Sequence, residues 1–329
     1  MNTETKYMGL NVKSPIIVGS CGLTNNMEDL EQFEAAGAGA VVMKSVFEEQ
    51  ILFDIRRSAS QMSSMGHFDG SYEYVAAHVA ENSMTRYFEH LTDVKKHLHI
   101  PVVGSINCYS FENWLNYAKR FQDAGCDAME LNMAILPYET SLSGDDVERL
   151  FSNVITTLKK AITIPISIKV SQNFTDMAKF MQQLSWMGIS SLTLFNKPLN
   201  IDINTNSMEV VNATAISEHG DMYNTLRWVA ILAKKLRCEI SASTGVFTAD
   251  DVVKMLLAGA QTVQVVSAFY KNGASYMRTL NEGLRQWMQQ KGFGSVEQFR
   301  GKLAVKTNEA ASMFLRTQFM KYFAKLGEE

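Results

Sequence analysis

The chain has 329 residues, 46% of them hydrophobic, so a large buried core is within reach. A net charge of −3 and a pI near 6.1 leave no basic footprint for nucleic acid or for an anionic membrane surface. Four scattered cysteines (Cys21, Cys108, Cys126, Cys238) without a Cys-x-x-Cys pair, and six dispersed histidines, argue against a metal site or self-contained iron–sulfur cluster and for a reducing compartment.

The opening residues, MNTETKYMGL, carry neither the basic nor the apolar region of a signal peptide. No apolar run approaches the ~20 residues of a membrane span. The expectation is a cytoplasmic protein without membrane contact.

Two marks then alternate along the chain. A proline opens an apolar run at Pro15, Pro101 and Pro165, where a strand tolerates the missing N–H. A helix end followed by a glycine turn precedes another run at Gly37, Gly125, Gly188 and Gly259, where glycine supplies the left-handed residue of a helix stop. The marks interleave and predict strands at 16–19, 40–43, 102–105, 128–131, 166–169, 191–195 and 262–266, while the seventh strand, 239–242, breaks the rule and enters through Arg237-Cys238. Amphipathic segments separate them near 27–36, 84–97, 111–124, 145–160, 175–187, 223–236, 248–258 and 275–290.

This alternation predicts an α/β fold, a (βα)8 TIM barrel with long βα loops over residues 1–294 and a C-terminal helical extension over 295–329. No Gly-x-Gly-x-x-Gly follows the first strand, so the dinucleotide fingerprint is absent. Two connections, 45–83 and 196–222, are too long for plain loops and are expected to cover the active face.

The stretch 239–272 is the most informative. It reads as strand, small-residue turn (Ser243-Thr244-Gly245), a helix capped by Thr248 with Asp250 and Asp251 in its first turn, a glycine stop at Gly259, and a β-branched strand closed by Ser267. Two consecutive strands ending in small hydroxyl and glycine residues can hold a phosphate in the last quarter of a barrel. A pair of ordinary turns is the competing reading.

Barrel chemistry sits at the C-terminal ends of the strands. That ring is expected to comprise Gly19, Ser20, Lys44, Ser45, Ser105, Asn107, Asn132, Lys169, Asn196, Ser243, Thr244, Gly245 and Ser267. It holds no carboxylate pair and no histidine cluster. Two strand-end lysines, Lys44 and Lys169, are costly unless they face an anion. They suit an anionic cofactor ring, an ion pair with a barrel carboxylate such as Glu130, or a Schiff base. The asparagines suit the amide edge of a flavin or a planar substrate.

At these residues the chain resembles the class 1 dihydroorotate dehydrogenases, FMN-dependent (βα)8 barrels. The resemblance runs through Ser14-Pro15-Ile16 to Gly19-Ser20, Glu28-Asp29-Leu30, Ala38-Gly39-Ala40 to Lys44-Ser45, Glu130-Leu131-Asn132, Ile168-Lys169, Asn196, Thr244-Gly245-Val246 and residues 292–303. The Phe47–Ile51 run resembles a dihydroorotate dehydrogenase-like branch of that family. The resemblance implies FMN as cofactor, with Ser20, Lys44, Ser45, Asn132 and Lys169 beside the flavin ring and Ser243, Thr244, Gly245 and Ser267 at its phosphate. It implies a small planar anionic substrate met by Lys44, Asn132 and Asn196. It also implies oxidation of dihydroorotate to orotate in pyrimidine biosynthesis, and either a homodimer or an iron–sulfur electron-transfer partner.

The chain departs from the family pattern in three places. The catalytic cysteine after the fourth strand is replaced by Ile135, within Met133-Ala134-Ile135-Leu136-Pro137. The family's substrate loop survives only in part at residues 63–69, and the glycine-rich loop after the sixth strand is not evident in Ile203–His219. A general base contributes about 10²–10⁴-fold in rate, so the usual dihydroorotate chemistry is expected to be impaired. Tyr138, His67 and Cys108 lie in loops on the correct face, but no spacing selects one as the base, and an ordinary loop or packing role is the competing reading for each. Cys21, at the mouth of the first strand, reads as a nucleophile or equally as a small residue packed beside the flavin. A non-catalytic or electron-relay FMN subunit and a flavin-free Schiff-base barrel lyase are the alternatives.

Overall fold

The computed structural model describes residues 1–48, 72–108, 111–135 and 139–306. An N-terminal hairpin, β1 (Thr5–Tyr7) and β2 (Leu10–Val12), comes first. It is followed by β3 (Ile16–Val18), α1 (Met27–Ala35), β4 (Val41–Val42), β5 (Val46–Phe47), α2 (Tyr72–His97), β6 (Val102–Asn107) and α3 (Phe111–Asp123). The middle of the chain forms β7 (Ala128–Met133), α4 (Gly144–Ala161), β8 (Ile166–Val170), α5 (Met177–Trp186) and β9 (Ser191–Leu194). A second hairpin, β10 (Ile201–Asn204) and β11 (Glu209–Asn212), leads into α6 (Met222–Leu232), β12 (Glu239–Ser243) and α7 (Ala249–Ala258). The fold ends with β13 (Thr262–Val265), α8 (Ser267–Asn272) and α9 (Tyr276–Lys291).

The parallel sheet runs β4-β3-β13-β12-β9-β8-β7-β6 and closes where β4 pairs with β6. The short β5 continues the β4 stave and pairs further along β6. The result is a closed (βα)8 TIM barrel, with seven strands where the proline and glycine marks predicted them and β12 entering through Arg237-Cys238 without such a mark. The marks work through local backbone chemistry. Pro15, Pro101 and Pro165 donate nothing, yet their carbonyls accept from Val263, Val41 and Met129 of the adjacent strands at 2.8, 3.0 and 2.9 Å. Gly37, Gly125, Gly188 and Gly259 all take positive φ, from 78° to 116°.

Thr248 caps α7 by accepting from the Asp251 amide, and the Asp251 carboxylate accepts from the Thr248 amide in return. The outer faces of the strands and the inner faces of the helices share the main apolar core. Inside the cylinder, Tyr7 and Met8 of the N-terminal hairpin pack with Ile17, Val42, Val103 and Ala128. Further along the strands the interior turns polar, with Ser105, Glu130, Ser167, Thr193, Ser241, Thr262 and Gln264 all buried.

Both long connections contain structure that periodicity did not reveal. Helix α2 begins at Tyr72, ahead of the segment expected from 84. The 196–222 connection holds the β10–β11 hairpin, whose residues are all exposed. Past α9, residues 296–298 form a 3₁₀ turn. The backbone amides of Gly301 and Leu303 donate to Leu256 and Leu257 of α7, and that of Val305 donates to Ala230 of α6. The rest of the C-terminal extension lies outside the described residues. No described helix is long and apolar enough to cross a membrane.

Candidate active site

The C-terminal ends of β3, β8, β9, β12 and β13 converge on a cavity of about 270 Å³. Of the residues singled out from the sequence, Ser20, Lys169, Asn196, Ser243, Thr244, Gly245 and Ser267 line it. The turn after β12 and the residue after β13 therefore open onto one space.

That turn is conformationally special. Thr244 sits at φ 82° and Gly245 at φ 74°. The Thr244 hydroxyl donates to the Phe195 carbonyl at 3.0 Å, tying the turn to the end of β9. The Thr225 hydroxyl donates to the Ser243 carbonyl at 3.1 Å, and the Ser217 amide donates to the Ser267 hydroxyl at 2.9 Å. Among the described residues, none accepts from the amides of Thr244, Gly245 or Val246. Unpaired amides in such a turn form a concave donor set suited to an anion.

Lys169, on β8, is 8% exposed and lines the same cavity. Its Nζ lies 3.9 Å from Oε1 of Glu130, so the ion pair weighed from the sequence is present alongside the cavity position. Asn132 stands opposite Lys169 in the β7–β8 ladder. It is buried, and its Oδ1 has no hydrogen-bond partner. Leaving such an acceptor unmade costs about 1–3 kcal/mol, which a ligand N–H there would recover.

Ser45 does not line the cavity but supports it. Its amide donates to Ser20 Oγ at 2.9 Å, and its hydroxyl lies 3.0 Å from Ser20 Oγ and 2.7 Å from Ser105 Oγ. Lys44 and Asn132 are also outside the lining set. Lys44 is half-buried in the irregular stretch between β4 and β5, and its carbonyl accepts from the Tyr87 hydroxyl at 2.9 Å. The Asn196 amide donates to the Val170 carbonyl at 2.9 Å, and its Nδ2 donates to the Lys197 carbonyl at 3.3 Å.

Several lining residues had escaped the strand-end reading. Gln264 lines the cavity, and a glutamine inside a β-branched buried strand is a signal that could have flagged it. Lys197, Ala215 and Ser217 arrive from the two feet of the β10–β11 hairpin, for which no local signal exists. Lys197 is paired with Asp221 at 2.7 Å. Tyr270 comes from α8, and its hydroxyl accepts from the Gly22 amide at 2.8 Å.

None of the residues weighed as base or nucleophile is established by its surroundings. Cys21 lines the cavity, but burial pushes its thiol up, which favours the thiol over a proton-accepting thiolate. Cys108 is buried and does not line the cavity. His67 and Tyr138, and the 63–69 segment, lie outside the described residues. Ile135 is half-buried, and its carbonyl accepts from the Ser171 hydroxyl at 3.1 Å. Where the glycine-rich loop would stand, Ile203–His219 contains most of the hairpin. Among the described residues, no group of His, Cys, Asp and Glu is placed to hold a metal ion.

A family profile described as "Dihydroorotate dehydrogenase" matches residues 2–288. The chain is 25% identical over 307 residues to "Dihydroorotate dehydrogenase B (NAD(+)), catalytic subunit" of Thermoplasma acidophilum, covering 91% of this chain and 97% of the relative. The protein of the same name from Pyrococcus furiosus is 27% identical over 313 residues, covering 92% and 98%. "Dihydropyrimidine dehydrogenase (NADP(+)), chloroplastic" of Arabidopsis thaliana is 25% identical over 323 residues, covering 89% of this chain and 75% of the relative.

Proposed function

We propose a function from one premise: the chain belongs to the dihydroorotate dehydrogenase family. Within that family of dehydrogenases acting on CH–CH donors, we read this chain as an FMN-dependent oxidoreductase for a small planar anionic substrate of the dihydropyrimidine type. The observation that carries the reading is that a lysine side chain and a turn of unpaired backbone amides open onto the same cavity. When bound, FMN would supply a two-electron hydride acceptor.

The chain's own residues would act by holding and orienting. The Thr244, Gly245 and Val246 amides, with the Ser243 and Ser267 hydroxyls, would hold the phosphate. Lys169 would be the charge partner of the ring, and the unmade Asn132 Oδ1 would accept an N–H from ring or substrate. Ser20, backed by Ser45, would pack beside the ring, and Lys44, Asn132 and Asn196 would clamp the substrate anion. Ile135 cannot accept a proton, so oxidation of dihydroorotate itself would be slow.

Titration of the purified protein with FMN, followed by flavin fluorescence, tests the cofactor. The expected result is stoichiometric quenching, a yellow protein, and about 2.7 kcal/mol of added stability at a hundredfold excess over Kd. A protein that stays colourless after incubation with FMN ends the reading. Anaerobic mixing with dihydroorotate and other dihydropyrimidines, followed by loss of flavin absorbance, identifies the substrate.

A second reading, an FMN-holding or electron-relay subunit without dehydrogenation, is favoured by Ile135 at the base position. It would bind FMN yet be reduced by none of that panel. The Schiff-base lyase reading is less well supported, because Lys169 faces a buried carboxylate rather than the apolar pocket that activates such a lysine. Two of the relatives are named as a catalytic subunit, which supports an electron-transfer partner, with a homodimer as the other assembly. The composition favours a cytoplasmic setting.

A further inference from the structure

Beneath the cavity lies a polar network that the reading above does not use. The Glu130 side chain is fully buried, and its Oε2 accepts from Thr193 Oγ1 at 2.7 Å and from Gln264 Nε2 at 2.6 Å. The Gln264 amide also donates to the Tyr7 hydroxyl at 3.1 Å, so the chain of contacts runs from the cavity lining down to the N-terminal hairpin. Oε1 of Glu130 has no hydrogen-bond partner. The cation it faces is Lys169, 3.9 Å away.

One oxygen is therefore saturated by neutral donors, while the other faces an ammonium just beyond hydrogen-bond reach. That separation lies well within Coulomb range in a buried setting. A buried carboxylate left without a countercharge is strongly unfavourable, so Glu130 and Lys169 are coupled whatever occupies the cavity. Among the described residues, the titratable neighbours that feel this pair are Tyr7, held as the neutral phenol by burial and by the Glu130 charge, and Cys21, held as the thiol by burial. Neither adds a formal charge to the Glu130–Lys169 pair, and Lys197, which lines the same cavity, is itself paired with Asp221.

We infer that Glu130 is a positioning residue that aims Lys169 and cancels much of its charge, so that a ligand above the pair meets a nearly neutral dipole instead of a bare cation. The inference rests on the FMN reading and deepens it. A bare ammonium beside the ring would favour the anionic reduced flavin, whereas a compensated one favours it less. Glu130 thus keeps the reduced cofactor the stronger reductant.

The experiment is potentiometry of the FMN-loaded protein with Glu130→Gln and Glu130→Asp. The glutamine keeps the shape and an acceptor for Thr193 and Gln264 but removes the charge. The expected result is a shift of the two-electron equilibrium toward reduced flavin by about tenfold, roughly 30 mV. The flavin–sulfite complex should tighten by about the same factor. Glu130→Asp keeps the charge but withdraws it by one methylene, so its shift has the same sign and a smaller size. It also carries the test should the glutamine variant not fold. On the FMN-free protein, Lys169→Met should lower Tm more than the Glu130→Gln/Lys169→Met double variant does, because the single change strands a buried carboxylate.

A flavin-loaded Glu130→Gln variant at the wild-type potential overturns the inference alone, as does absence of coupling in the Tm cycle. A loss of Tm without movement of the potential assigns Glu130 a purely structural role and overturns it too. A wild-type chain that takes up no FMN overturns the functional reading and this inference together.

Discussion

Gly245 lies so close to the start of α6 that a methyl group on its Cα would sit 2.4 Å from the Met222 backbone nitrogen. Its φ of 74° is also one that side chains disfavour. Space and conformation thus demand glycine independently, and the same packing holds the Thr244–Val246 amides at the cavity.

Gly245→Ala should therefore cost about 1–3 kcal/mol of stability and weaken FMN uptake at least about tenfold. Thermal unfolding and flavin fluorescence titration check the two effects separately. Unchanged FMN affinity in a destabilised variant would mean that the turn does not hold the phosphate.

Replacing Ile135 by Cys restores a proton acceptor at the position where the resembled enzymes carry one. Turnover of dihydroorotate should rise by about 10²–10⁴-fold with FMN affinity unchanged. The measurement is anaerobic flavin bleaching by stopped flow. No rise would mean that more than one residue separates this chain from that activity.

At the opposite end of the barrel, the Glu239 carboxylate accepts from the Met8 amide at 2.5 Å and the Gly9 amide at 3.2 Å, pinning the turn of the N-terminal hairpin. Burial pushes its carboxyl up despite those two amides. A raised carboxyl binds its proton more tightly in the folded state, so its contribution falls as pH climbs from the ordinary carboxylate range through the folded value. Glu239→Ala should lose about 1–3 kcal/mol for the orphaned amides. Glu239→Gln, which keeps an acceptor without a charge, should match or exceed the wild type at pH 7. Denaturant unfolding of both variants decides it, and a glutamine variant as weak as the alanine one would refute the burial argument.

Asp251 supports the opposite pH dependence. Burial raises its carboxyl, but the hydrogen bond from His219, at 2.8 Å, and the Phe247 and Thr248 amides outweigh that and hold it below the usual range. A depressed carboxyl contributes stability above its unfolded value of about 3.9, and that contribution is lost as pH falls through the folded value. Asp251→Asn should be less stable than the wild type by about 1.5–3 kcal/mol at pH 7, with the gap closing in acid. Parallel unfolding curves across pH would show whether the gap closes; a constant gap would remove the electrostatic account.

The strand order was legible because its punctuation is local. Pro15, Pro101 and Pro165 and the four helix-stop glycines act on their own dihedrals and donors, so their spacing yields seven of the eight strands of a barrel, and the seventh strand in chain order is read from its own extended run. The ends of the expected strands likewise placed Lys169 and Ser243 in the ring, and Thr248 announced the start of α7 without any tertiary contact. Which members of that ring share one cavity could not be read this way. Lys44 and Ser45 fall in an irregular stretch where β4 has already ended at Val42, so strand alternation no longer dictates their direction.

The feet of the β10–β11 hairpin bring Lys197 and Ser217 to the cavity from a connection with no strong period. Glu130 meets Thr193 and Gln264, 63 and 134 residues further along the chain, only because the cylinder closes. Residue type and local period determined the strands, the turns and the kinds of chemistry available. Closure alone decided which charges face each other, because electrostatic contact depends on distance in space and not along the chain.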